Sequence, residues 1–227
     1  LSSPVVFDAL RLNPGSERSI VTPITRAKEI YKSLHIHDQV AATDYQLALL
    51  YAKIWTCQRD EIQTRQKLSK AFYHLGLSHG YYFSHPVSNE DTLICLILDL
   101  SGLYSTTSVS YECQEKALLC CLDTCVAFSA AAIKETRSRG PSSKDWFQKM
   151  DALNDRMEER VFAHLSSLVK MEKNDDKMPR KYEDIYRVAL RLKLSSQNQK
   201  ITEKECYRVF DILALVKERH EKTSGVQ

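Results

Sequence analysis

Seven apolar side chains, Trp146, Met150, Leu153, Met157, Val161, Leu165 and Leu168, follow one another in steps of three and four residues. Only an α-helix gathers such positions on one side; a strand would send them alternately to both faces. A seam of that length stays dry only against other helices, as in a bundle or coiled coil. With 6 Gly and 6 Pro among 227 residues, little interrupts the helical period elsewhere. The apolar fraction of 43% also excludes a disordered or fibrous chain.

The same period recurs along most of the chain. Residues 1–21, with Pro4, Pro14 and Gly15, read as an irregular arm. Thr22-Pro23 predicts a helix start, a hydroxyl cap followed by a proline whose missing N–H is not needed there. Ile24, Ala27, Ile30, Tyr31 and Leu34 then carry the stripe until His35-Ile36-His37-Asp38 breaks it. A second helix is expected over 41–56, with Tyr45, Ala48, Leu49, Ala52 and Trp55 on one side. A third carries Ile62, Leu68, Phe72 and Leu75 and frays near His79-Gly80. His85-Pro86 punctuates the chain, and Asn89 is placed to cap an almost wholly apolar core helix over 92–100. Ser101-Gly102 should weaken that helix, and 105–108 reads as a loop.

A long helix is expected over 111–135, then a linker over 137–143, then the seam helix from 144. Residues 171–178 read as a charged loop and Pro179 as the restart of a helix reaching Leu192. After a polar connection over 195–200, the spacing of Thr202 and Glu205 makes a capping box for the last helix, through Val209, Phe210, Leu213 and Val216. The expected fold is all-α: about eight helices packed as antiparallel hairpins, in a helical bundle or a short tetratricopeptide-like (TPR-like) helical array. The segment Ala71 to Tyr81 resembles a tetratricopeptide stretch in placing Leu75-Gly76 before aromatics. The repeat of about 34 residues does not recur, so the likeness extends to a helical hairpin alone. The expected organisation is a helical half over 22–136, the linker, a charged helical half over 144–222 packed on the first, and a tail over 223–227.

Charge and cysteine usage set the surroundings. The net charge is +3, composed of +3 over 1–85, −5 over 86–133 and +5 over 134–227. So small a balance is not that of a dedicated nucleic-acid-binding domain. The 7 cysteines are odd in number, irregularly spaced and mostly set among apolar residues, as free thiols are in a reducing compartment. No Asn-x-Ser/Thr sequon and no run of about 18 apolar residues occurs, so the expectation is an intracellular chain, nuclear or cytoplasmic, with no membrane-spanning helix.

Catalytic signatures are missing: no Gly-x-Ser-x-Gly, no phosphate-binding loop, no His-Glu-x-x-His. Cys113, Cys120, Cys121 and Cys125 share one predicted helix, which cannot converge four thiolates on a zinc ion. His35, His37, His74, His79 and His85 fall at no recognisable ligand offset. Expected, therefore, are no enzyme activity, no cofactor and no metal. Two features point to partners. Phe72, Tyr73, Tyr81, Tyr82 and Phe83 crowd a segment where one helix face cannot bury them all, and aromatics supply much of the energy of protein interfaces. Arg180, Arg187 and Arg191, seven and four residues apart, share a helix face, with Tyr182, Tyr186 and Tyr207 near for stacking on bases. The function expected is a scaffold or adaptor domain that holds a helix or extended peptide of another protein in a groove. The alternatives are a nucleic-acid-associated domain using the basic face around 177–193, and a homodimerisation module meeting along the 146–168 seam. Thr22-Pro23 and Ser3-Pro4 stand out as candidate phosphorylation sites.

Overall fold

The computed structural model describes residues 16–57, 61–108, 110–137, 143–175, 177–197 and 208–224, and every regular element among them is helical. The all-α expectation holds. The chain divides into two compact units, one ending at His85 and the other beginning at Pro86.

The first unit is built from α1 (Ser16–Ser33), α2 (His37–Cys57) and α3 (Glu61–Ser84). α2 packs against both others and runs antiparallel to them, so that Asp44 of α2 meets both Lys28 of α1 and His74 of α3. The turn from α1 to α2 closes with His35 in the left-handed region (φ 57°). There the His35 N–H donates to Lys32 at 3.1 Å and the Ile36 N–H to Tyr31 at 3.0 Å, a Schellman stop. The expected break at 35–38 is this turn.

Four local expectations need correction here. Of the stripe expected on α1, Ile30 and Leu34 are 50% and 60% exposed. α1 starts at Ser16, so Pro23 lies inside the helix and Thr22 is no cap. A proline there costs about 3 kcal/mol. It is offset by half-buried Ile20, Val21 and Ile24 and by the ion pair that ties Glu17 to Lys67 of α3. The core stripe of α2 is Ala41, Asp44, Leu47, Ala48, Tyr51 and Ile54, about a quarter turn from the one expected. The displacement arises because two polar side chains are buried: pairing by Lys28 and His74 lets Asp44 turn inward. α3 does not fray at Gly80 but runs to Ser84. Ala71, Leu75, Ser78 and Tyr82 form its buried face, and Ile62 is 73% exposed.

The second unit holds α4 (Glu90–Thr107), α5 (Tyr111–Cys120), a 3-10 turn at Cys121–Asp123, α6 (Thr124–Arg137), α7 (Ser143–Asn174), α8 (Glu183–Gln197) and α9 (Arg208–Ser224). The eight expected helices are thus present, with the one expected over 111–135 divided at the 3-10 turn. α4 packs on α5, α6 and α7, and α7 packs on α5, α8 and α9. Helices on either side of 137–143 pack on one another within this unit. Residues 138–142, within the expected linker, lie outside the described residues, as do 1–15 of the expected arm and the Thr202–Glu205 box.

Met150, Leu153, Met157, Val161, Leu165 and Leu168 are all buried in this unit, four of them completely. Each such side chain contributes roughly 1.5–3 kcal/mol relative to exposure. α4 continues past Ser101-Gly102, where an arginine of α7 packs at the glycine: a Cβ there would sit 3.3 Å from Arg160 Nη1. The presumed loop 105–108 is helical to Thr107. The hydroxyls of Ser105, Thr106 and Thr107 bond back to the Gly102 and Leu103 carbonyls at 2.6–3.1 Å, so polar residues that read as a turn are satisfied within the helix. Asn89 holds the cap position of α4 without a side-chain cap bond, and the Asp91 carboxylate accepts the Thr92 N–H at 2.8 Å. α7 continues to Asn174, and α8 begins at Glu183 and not at Pro179.

Candidate partner-binding surface

The exposed side of α3 is one of two open apolar surfaces of the first unit, the other being Ile30, Leu34 and Ile36 at the end of α1. Tyr73, Leu77 and Phe83 are 62%, 43% and 38% exposed, and Gly76 and Gly80 lie among them at helical spacing. A Cβ on either glycine would meet nothing within 4 Å. No acidic residue occurs between Ile62 and Ser84, whereas Arg65, Lys67 and Lys70 stand toward the helix start. Two glycines weaken an exposed helix by about 1 kcal/mol each relative to alanine. They also let another backbone approach closely.

The expected aromatic cluster divides across this helix. Tyr73 and Phe83 belong to the exposed side. Phe72 and Tyr81 are half-buried, and the Tyr81 ring stacks on His85 at 4.6 Å. Tyr82, at 5% exposure, is a core residue packed toward α2 and is withdrawn from the candidate surface. Leu77 and the open backbone at Gly76 and Gly80 were not legible as a surface because His79-Gly80 reads as a fraying helix end. The small-x-x-x-small spacing at 76 and 80 was the signal available.

Behind this face lies a charged cluster that no linear motif announces. The Lys28 Nζ donates to Asp44 Oδ1 at 2.5 Å, and His74 Nδ1 lies 2.6 Å from the same oxygen. The Tyr51 ring stacks on His74, 5.7 Å apart and 12° from parallel, with the Lys70 ammonium 5.2 Å from the tyrosine's ring centre. Burial pushes the Asp44 carboxyl up, but the bonds from His74 and Lys28 outweigh it and hold the group below the usual carboxylate range. Three helices are thereby fixed to one carboxylate.

The basic residues of the second unit do not form the face expected of them. Arg180 lies in the loop before α8, while Arg187 and Arg191 are exposed one turn apart on it. Glu183 gathers Arg187 at 3.2 Å, Lys173 at 3.3 Å and Arg180 at 3.9 Å, which neutralises part of the cluster. Tyr182, considered for base stacking, is buried; its hydroxyl donates to Glu115 at 2.8 Å. Tyr186 is half-buried and meets Phe162 edge to face, and Tyr207 lies outside the described residues.

The thiols and imidazoles show no reactive arrangement. Cys95, Cys113, Cys120, Cys121 and Cys125 are free, and burial pushes Cys120 and Cys121 up to about 12. Thiols in that state are poor nucleophiles at neutral pH. Among the described residues no group of three His, Cys, Asp or Glu side chains is placed to hold a metal ion, and no helix is long and apolar enough to cross a membrane. The 150–168 part of the seam is core, so it offers no surface to a second copy. In comparisons with family models, curated proteins and solved structures, nothing matches this chain.

Proposed function

We propose that the first unit is a protein-docking module of a scaffold or adaptor. In this reading, a helix of the partner lies along Tyr73, Leu77 and Phe83 and closes on the backbone at Gly76 and Gly80. The observation that carries this reading is the open space above both glycines on a solvated helix flanked by exposed apolar side chains. Such a helix keeps two destabilising residues where alanine would fit, and close helix crossing is what glycine permits there. The docking reading involves no catalytic step.

The test is a tagged pull-down from nuclear and cytosolic lysate, in nuclease-treated and untreated halves, with wild type beside Gly76→Ala/Gly80→Ala and Leu77→Glu. The alanine pair should raise the melting temperature, by about 1 kcal/mol of stability per site, yet weaken capture of a near-stoichiometric protein. Leu77→Glu should abolish that capture with melting unchanged. Equal capture by all three chains would overturn the reading. Loss of the captured material on nuclease treatment would favour nucleic-acid association through Arg187 and Arg191, which charge reversal at Arg187 would then remove.

A further inference from the structure

We propose that Thr22 is a phosphorylation site for a proline-directed kinase, and that its phosphate is held by Arg18 and Arg26 across one ridge of α1. Thr22 and Pro23 are both exposed, as are Arg18 and Arg26. The two arginines stand four residues to either side of Thr22, so all three side chains share a face of the helix. Among the described residues neither arginine makes an ion pair, and no hydrogen bond engages the Thr22 hydroxyl. The neighbouring Thr25 hydroxyl, by contrast, donates to the Val21 carbonyl at 2.9 Å. Glu29, the nearest carboxylate further along this ridge, lies about two turns away and pairs with Lys32 at 3.1 Å.

A kinase needs the Thr-Pro dipeptide extended, and the local backbone favours that. The residue before a proline is driven from the α region by the proline ring, and Pro23 brings no N–H to the helix. Opening the first two turns of α1 gives up one helical bond fewer than elsewhere, at the expense of half-buried Ile20 and Val21 and the Glu17–Lys67 pair, so the kinase acts on the transiently opened segment. In the transfer, the Thr22 Oγ attacks the γ-phosphorus of a nucleoside triphosphate. The bond to the diphosphate leaving group breaks, and the hydroxyl proton passes to the kinase's base. The product's dianion then sits between two guanidinium groups on one ridge of the helix. Phosphorylation should thus close the segment that opening made accessible.

The experiment uses the full chain and a peptide of residues 16–30, each incubated with a proline-directed kinase and ATP and mapped by mass spectrometry. Hydrogen exchange is then followed in residues 16–22. The expected result is modification of Thr22 in both substrates, and exchange about fivefold slower in the phosphorylated chain. That slowing should vanish in Arg18→Gln/Arg26→Gln, which is still modified. Modification of the peptide but not the chain would mean that α1 shields Thr22, and overturns the proposal. So does failure of the peptide itself. Unchanged or faster exchange after modification would overturn the arginine clamp.

Discussion

At the scale of single residues, the second unit buries a histidine that no partner compensates fully. His164 is 2% exposed; its Nδ1 faces Gln114 Oε1 at 3.3 Å, and its Nε2 has no hydrogen-bond partner. Burial, then the positive charge of Arg160, pushes the imidazole down to about 4 from an ordinary 6.5. The unfolded chain therefore takes up a proton that the folded chain refuses, and stability falls as pH drops from about 6.5 toward 4. The loss should approach about 3 kcal/mol across that window. Urea melts between pH 7.5 and 4.5 should show this slope in the wild type and a flatter one in His164→Gln. The sequence offered no sign of it, because the imidazole's surroundings come from α4, α5 and α7 together. The free state of the described cysteines was legible, since apolar neighbours in sequence are also their neighbours in the core.

At the scale of elements, the start of α8 depends on a carboxylate from α7. Glu172, 1% exposed, accepts the Lys181 N–H at 3.0 Å, the Tyr182 N–H at 3.3 Å and the Tyr111 hydroxyl at 3.0 Å. Lys181 also reaches Glu115 at 3.7 Å, the acceptor of the Tyr182 hydroxyl. One buried acid thus fixes the backbone just ahead of α8, four residues beyond the restart expected at Pro179. Glu172→Gln should cost about 2–3 kcal/mol and release α8 first, seen as faster hydrogen exchange at 181–186 than in α5. Helix existence was readable from period and composition. Helix ends were less so, because hydroxyl back-bonding carries α4 through Thr107, and tertiary pairing carries α1 back to Ser16.

At the scale of the whole chain, two units with separate cores should melt separately. Asp44→Asn keeps an acceptor oxygen but removes the negative charge shared by Lys28 and His74, and leaves a buried ammonium without its counter-charge, at about 3–5 kcal/mol. Calorimetry should resolve two transitions, with Asp44→Asn lowering one and His164→Gln leaving that one in place. A single transition shifted by both variants would contradict the division at His85/Pro86. The wild-type Asp44 contribution is present above the ordinary carboxylate range and is lost as pH falls through its lowered folded value, so the first unit should also yield at a more acidic pH than His164 governs.

The sequence by itself determined that this chain is helical, that the long seam lies on one side of one helix, and that its charge is nearly balanced. These are properties of spacing, and a helix repeats its spacing locally. The tertiary structure alone decided which face of α2 is core, that Tyr82 is buried while Tyr73 is open, and that Arg180 leaves the face of Arg187 and Arg191. The first of those outcomes turns on a polar group, Asp44, finding Lys28 and His74 on other helices. A buried aspartate is tolerable beside a lysine and a histidine and costly without them. The sequence separation of Lys28, Asp44 and His74 carries no trace of that meeting.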